Sequence, residues 1–406
     1  MEVIIDAACG LDVHKETVVA CIMGKEIKKE TRTFKTMTNN LIELKNWLIS
    51  NGITHVAMES TGVYWKPIFN ILEDSFEILL VNARHIKRVP GRKTDVMDAE
   101  WICKCLRSGM LSGSFIPPLI IRELRDLTRY RRKMVNTITQ EKNRVHKILE
   151  DANIKLSSVV SDLFGVSATQ MIDELLEDKI PVEEIAALAK GTLKSKQAEL
   201  REALNGNFTV HHKFMIQSSL EHINSIKQII IKIDEEIDKV VKNFNEEFKL
   251  LQTIPGVKEK GAANIIAEIG LDMDRFPSEH HLSSWAGMSP GNNESAGKKK
   301  SGKTTHGNKS LKATFTECAW AARKTKDTYL QAKYNRLVRK CGKKRAIIAV
   351  GHKILIACYH IIKFKKPYDE LGSNYFDSFN KDKIVKGYLN KLKKLGYNVK
   401  IEKEAA

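Results

Sequence analysis

The chain has 406 residues, more than one compact core usually holds, and 42% of them are apolar, so two or three folding units are expected. Its 67 Lys and Arg outnumber 49 Asp and Glu, giving a formal charge of +18. A chain this basic points to a polyanionic partner, because each neutralised phosphate releases condensed counterions. The seven cysteines form no CxxC pair and no metal-type spacing with histidine, which argues against a zinc ribbon or disulfide framework and suits a reducing cytoplasm. The first residues lack the basic start, apolar run and cleavage site of a secretory signal.

From residue 1 to about 120, strand-like and helix-like segments alternate. Strands are expected at Ala7–Val13, Thr17–Met23, Ile27–Thr36, His55–Met58 and Phe76–Val81. Helical patterns fill Asn39–Ser50 and Tyr64–Glu73, and another begins near Thr94. Three successive strands followed by alternating helices and strands is the order of an α/β RNase H-like fold. Residues 121–250 form a helical region. Its arms, Ile121–Glu150 and Thr209–Phe248, carry apolar stripes typical of antiparallel helices or a coiled coil, around a small helical insert at 152–207. Residues 251–364 read as a mainly α C-terminal domain, and 365–406 as a basic appendage. In the former, Ile254-Pro255-Gly256-Val257 before Ala262–Ile269 suggests a helix-hairpin-helix, and Gly291–Asn308 reads as a Gly/Ser/Lys loop. The apolar stretch Ala346–Ile362 is interrupted by Gly351, His352, Lys353 and His360, and reads as a buried amphipathic helix, not a membrane span.

Four acids stand out. Asp12 ends the first strand, Glu59 follows the fourth, and Asp95 and Asp98 are three residues apart at a helix start, so they share a face. Phosphodiester chemistry with paired divalent ions needs such hard oxygen ligands. Each acid alone is as readily a turn former, a helix cap or a solvated loop acid. Four in this order on an α/β pattern point to a metal site.

Basic segments mark candidate nucleic-acid contacts. One is the RYRRK cluster with Arg129, Arg131, Arg132 and Lys133; another is the Pro-Gly turn with Gly256 and Lys258, whose amides suit a phosphate. Charged helices are often only solvated. The third surrounds Ser295, where Gly297 permits close backbone approach and Lys298, Lys299, Lys300 and Lys303 supply charge. On composition alone this is a DNA-contacting loop with an incidental serine. Trp65 reads as core packing; Tyr64 beside it is a candidate for base stacking.

The motifs GLDVHKETV, AMESTGVYW and VNARHIKRVPGRKTDVMDAEWI, followed by IPGV…AEIG…WAGMSPGNNESAGKKKSG, resemble those of the DEDD transposases of the insertion-sequence one-ten family. The resemblance covers the first hundred residues and Leu251–Arg323. It implies a RuvC-like N-terminal domain in which Asp12, Glu59, Asp95 and Asp98 bind Mg²⁺. It also implies a C-terminal domain whose serine nucleophile matches Ser295, with Ser301 the weaker match and Ala296 standing where the family often has glycine. The function it implies is excision and insertion of a mobile element in the bacterial or archaeal cytoplasm. The implied partners are donor and target DNA and a bridge RNA. Exchange of two duplexes calls for a homo-oligomer, a dimer or a tetramer. The readings left beside it are a junction resolvase using metal-activated water and a binding scaffold with a decayed site.

Overall fold

The computed structural model describes residues 4–60, 62–82, 98–291, 293–295, 297–301, 303–304, 306–379 and 381–399. It divides into two compact units, Met1–Pro117 and Pro118–Ala406.

The first unit is built on one five-stranded sheet. Its strands are β1 (Ala8–Val13), β2 (Thr17–Met23), β3 (Glu30–Lys35), β4 (His55–Glu59) and β5 (Glu77–Val81), in the order β3-β2-β1-β4-β5. β1 pairs antiparallel with β2, and β2 with β3, whereas β4 lies parallel to both β1 and β5. Helices α1 (Thr38–Ser50) and α2 (Trp65–Leu72) supply the crossovers that parallel strands require. Alternation divides β1 between two cores. Cys9, Leu11 and Val13 join Leu44, Leu48, Ile68 and Leu72 of α1 and α2. Ala8 and Gly10 face the other way, towards α3 (Asp98–Arg107), whose Ala99, Ile102, Cys103 and Leu106 recur at helical spacing and are buried there. The start near Thr94, and Asp95 with it, lie outside the described residues.

Gly10 lets α3 sit against the sheet. A Cβ there would lie 2.2 Å from the Ala99 carbonyl oxygen and 2.4 Å from the Cys103 nitrogen. Both are backbone atoms, so Gly10→Ala moves the whole helix. We expect destabilisation at or above the top of the roughly 1–3 kcal/mol range for overpacking. The check is hydrogen exchange: the α3 amides lose protection selectively, and unchanged protection would refute the packing role.

The second unit is helical. Its arms are α4 (Leu119–Asp151) and α9 (Val210–Val241), joined through an insert containing α5 (Leu156–Val159), α6 (Val166–Glu177), α7 (Val182–Ala187) and α8 (Gln197–Leu204). Asp151 meets His212 at 3.0 Å, Glu141 meets His222 at 3.3 Å, and Arg131 bonds Asp234. One index falls as the other rises, so the arms are antiparallel. Of the apolar stripe expected along Ile223, Ile226, Ile230, Ile233, Ile237 and Val240, all are buried except Ile230 and Val240, which are half-buried. The insert has its own core around Leu156, Met171 and Leu200, closed by Val145 and Leu149 of α4 and Ile216 of α9.

A second core gathers α10 (Asn245–Leu251), α11 (Glu259–Ile269), α12 (Glu279–Trp285), α13 (Lys309–Ala322) and α14 (Tyr329–Phe364), with Ile121 and Leu124 of α4. The loop expected at Gly291–Asn308 contains a two-stranded ribbon, β6 (Asn293–Ser295) and β7 (Lys298–Ser301). Helix α14 has the length and mean hydropathy, 1.6 over its most apolar window, of a membrane span. Ala346, Ile347, Val350, Ile354, Leu355 and Cys358 are nevertheless buried in the protein core, as expected for an amphipathic core helix. Gly342 (φ 77°, ψ 168°) breaks α14. Tyr329 at its start stacks on Phe376, ring centroids 5.2 Å apart, in α15 (Tyr375–Phe379) beyond its end. An unbroken helix of this length would run about 50 Å. The Tyr329 amide also donates to the Glu370 carboxylate at 2.6 Å, and the six residue steps from Phe364 to Glu370 span at most about 22 Å. The second half therefore turns back at Gly342. A final helix, α16 (Lys381–Lys394), carries the basic end.

Candidate active site

In the parallel pairing of β1 with β4, the last rung joins Leu11 to Met58, and the next positions along the strands are Asp12 and Glu59. Adjacent strands lie about 4.8 Å apart, so two acids sit side by side at the carboxyl ends of neighbouring strands. Both share the face of Ala8, Gly10 and Ala57, the face covered by α3. Asp98 opens that helix directly before Ala99, whose carbonyl rests over Gly10, two residues before Asp12. Three of the four expected acids thus belong to one face and one end of the sheet. An acid in the first helical turn is also favoured by the helix dipole.

Asp12, 17% exposed, is 3.1 Å from Nε2 of exposed His14. The neighbouring Glu100 is held by Lys104 at 2.6 Å and Lys29 at 3.1 Å. Those two hydrogen bonds, the Lys104 one foremost, keep its carboxyl below its ordinary range despite burial. It belongs to a salt bridge, and nothing in its local sequence marks it as a site residue. Carboxylate oxygens are the ligand type that Mg²⁺ prefers. Among the described residues, however, no group of three or more side chains stands close enough to hold a metal ion. Trp65 packs against the core edge-on to Phe69, and Tyr64 is 40% exposed.

In the second unit, Ser295 ends β6 and is the Cα partner of Lys298 in β7. Two residues close the turn, and Gly297 has φ 74°, the positive value such tight hairpins favour. A Cβ on Gly297 would meet nothing within 4 Å, so the tip is open on that side. Lys298 and Lys303 are exposed; the side chains of Ser295, Lys299, Lys300 and Ser301 lie outside the described residues. The ribbon is stapled below by the Gly291 amide donating to the Lys303 carbonyl at 2.9 Å and by a bridge between Pro290 and Thr304. Lys312 of α13 bonds the Thr304 hydroxyl.

The arginines expected to contact phosphate have partners within the fold. Arg129 grips Glu268 through two bonds of 2.8 Å. Arg131 pairs with Asp234, and Arg132 donates to the Ser310 carbonyl and the Thr314 hydroxyl, both at 2.7 Å. Lys133 is exposed. Glu268, 1% exposed, also accepts from Asn308, whose Oδ1 caps α13 through the Leu311 amide at 3.1 Å. Burial pushes the Glu268 carboxyl up, but the bonds from Arg129 and Asn308 and the charges of Arg129 and Arg125 hold it below its ordinary value. Arg125 donates to the Ala267 and Glu268 carbonyls at the end of α11. A lone acid within the apolar run of α11 was the sequence signal for this buried pair.

Residues 252–258 join α10 to α11 through non-helical turns, with Lys258 extended and exposed. Gly256 (φ 86°) has a structural duty there: a Cβ would lie 2.4 Å from the Cys318 carbonyl oxygen and 2.5 Å from the Ala322 nitrogen of α13.

Residues 9–154 match the family model of the IS110 DEDD transposases, described as a transposase, and residues 248–335 match that of the transposase IS116/IS110/IS902 family. The chain is 24% identical over 377 residues to a pilin gene-inverting protein of Moraxella bovis. It is 25% identical over 380 residues to one of Moraxella lacunata; each match covers 89% of this chain and 97% of the relative. Both family matches name transposases, enzymes of DNA transposition and recombination. The chain belongs to the IS110 family.

Proposed function

We propose that this protein excises and inserts a DNA element by serine-mediated strand exchange, with Mg²⁺ held by Asp12, Glu59, Asp95 and Asp98 in an RNase H-like, RuvC-like domain. The observation that carries the reading is the side-by-side position of Asp12 and Glu59 on parallel strands, under a helix that begins at Asp98. The strand order, two antiparallel pairings followed by two parallel ones, supports the RNase H-like assignment. Bound there, Mg²⁺ would supply positive charge for the phosphate under attack. Ser295 is the nucleophile. Its Oγ forms a bond to phosphorus as one phosphorus–sugar oxygen bond breaks, and the serine proton ends on the departing sugar oxygen. The resulting phosphoserine keeps the bond energy, so the reverse attack by another sugar hydroxyl rejoins the strand. Lys298, across the ribbon, offers charge to the phosphate.

DNA is the substrate, and a structured bridge RNA is the proposed guide, with base pairing choosing the target. The helix-hairpin-helix reading of 254–269 keeps a backbone-contacting role for Lys258. Tyr130, Val135, Ile229 and Ile231, exposed on α4 and α9, support a homo-oligomer assembled through the arms.

The test is incubation of the protein and the RNA transcribed beside its gene with a plasmid bearing the element ends. Cleavage is expected to stop in EDTA and return with Mg²⁺, and denaturing gels should show protein covalently attached to DNA. Free ends without an adduct would favour hydrolysis by water and reject the serine step.

A further inference from the structure

Between Asp327 and Asp369 the chain has eleven Lys and Arg and no acid. Most of this stretch is α14, and the run is densest around its break. Arg336, Arg339, Lys340, Lys343, Lys344 and Arg345 are all exposed, on both sides of Gly342. None of them forms a salt bridge with a described carboxylate; Arg336 instead lies over the Phe376 ring at 4.9 Å. Lys333, a helical turn before Arg336, is half-buried with Nζ 5.8 Å from the Tyr329 ring centroid. Twenty residues of straight helix would separate Lys333 from Lys353 by about 30 Å. The turn at Gly342 instead brings Lys353 close enough to depress Lys333: burial first, then Lys353 and Arg336, lower its pKa to about 8. His352 is likewise lowered, by burial and then by Lys353, Lys333 and His280. Two acids on flanking elements are already engaged. Glu370 accepts from the amides of Tyr329 and Gly372, and Glu279 lies 3.7 Å from His280.

Cations packed together without counter-charge raise a potential that draws an anion to them. We propose that the α14 elbow is a binding surface for the backbone of duplex DNA, with Lys333 and Lys353 at its floor and the exposed cations flanking Gly342 at its rim. A duplex is favoured over a single strand because the rim offers no stacking platform: Tyr334 is buried, and Phe376 is covered by Arg336. The elbow lies just beyond the matched segment that ends at residue 335. The inference rests on the reading that the protein acts on DNA, but not on its serine or metal chemistry.

The experiment is fluorescence anisotropy of the full chain with a 5′-labelled random-sequence DNA duplex, without Mg²⁺, across a series of salt concentrations. The variant is the triple Arg339→Gln, Lys340→Gln, Lys344→Gln, which leaves the packed Arg336 in place; a control triple, Lys190→Gln, Lys194→Gln, Lys196→Gln, removes the same charge from the insert. Each phosphate contact contributes about 0.9 to the slope of log affinity against log salt, so the elbow variant should lose roughly 2–3 from that slope. The control should keep the wild-type slope. Lys333→Gln should weaken binding further at low salt. An unchanged slope in the elbow variant, or an equal loss in the control, would overturn the proposal. So would a loss seen with an RNA duplex while DNA binding is untouched. Because no cleavage is read, failure of the serine mechanism would leave this result intact.

Discussion

Ser295→Ala is expected to abolish covalent capture of DNA while duplex binding stays within about twofold of wild type. The physical reason is that alanine has no atom able to form the bond to phosphorus, whereas the ribbon that carries it is held by backbone bonds and by Gly297. Catalysis that retains metal and substrate binding but loses its nucleophile typically falls by at least about 10³-fold. The measurement is adduct formation on denaturing gels beside duplex affinity for the same preparation. A companion variant, Ser301→Ala, should retain adduct formation, because its backbone lies at the far end of β7, opposite Asn293. Should Ser295→Ala still form adducts and Ser301→Ala not, the nucleophile is reassigned along the same ribbon.

The second large effect is on stability. Glu268→Gln leaves Arg125 and Arg129 facing a buried neutral amide, and loss of one partner from a buried pair costs about 3–5 kcal/mol. Its pH dependence has a defined sign. The folded carboxyl is held below its ordinary value of 4.5, so its contribution is complete above that pH. It is lost as pH falls through the lower folded value. Wild type and variant should therefore differ fully at neutral pH and converge in acid. Urea unfolding followed by the fluorescence of Trp285 and Trp320, which lie in this unit, reads the difference. Curves that stay parallel into acid would show that Glu268 is not held as a charge. Asn308 extends the consequence, since the same carboxylate positions the residue that caps α13.

The sheet is legible in the sequence because its strands combine apolar alternation with clear ends: Thr17–Met23 matches residue for residue, and β4 is one residue longer than expected, taking in Glu59. That the acids at 12 and 59 are neighbours is not legible, since pairing across forty-odd residues follows from topology and not from local pattern. The ribbon around Ser295 is hidden for the opposite reason. ESAGKKKS has neither apolar alternation nor β-branched residues, and only its Gly297 turn and backbone pairing make it a hairpin. The partners of the RYRRK arginines within the fold are not legible in the sequence because they are remote. Glu268, Asp234, Ser310 and Thr314 lie on other helices, more than a hundred residues away. A basic run seen alone looks solvated or ready for phosphate; only packing reveals which guanidinium groups are already satisfied. Gly256 shows the same limit, for its close approach to α13 is not visible in the Pro-Gly turn read as sequence.

The adjacent placing of Asp12 and Glu59, one position past the last β1–β4 rung, also constrains how this protein can change over generations. Side chains alternate along a strand, so inserting or deleting one residue within β1 ahead of Asp12 would rotate that acid to the opposite side of the sheet, among Leu44 and Leu48. Its neighbour on β4 would stay where it was. Length variation in such a lineage is thus confined to the connections, and the two strands must drift by substitution alone.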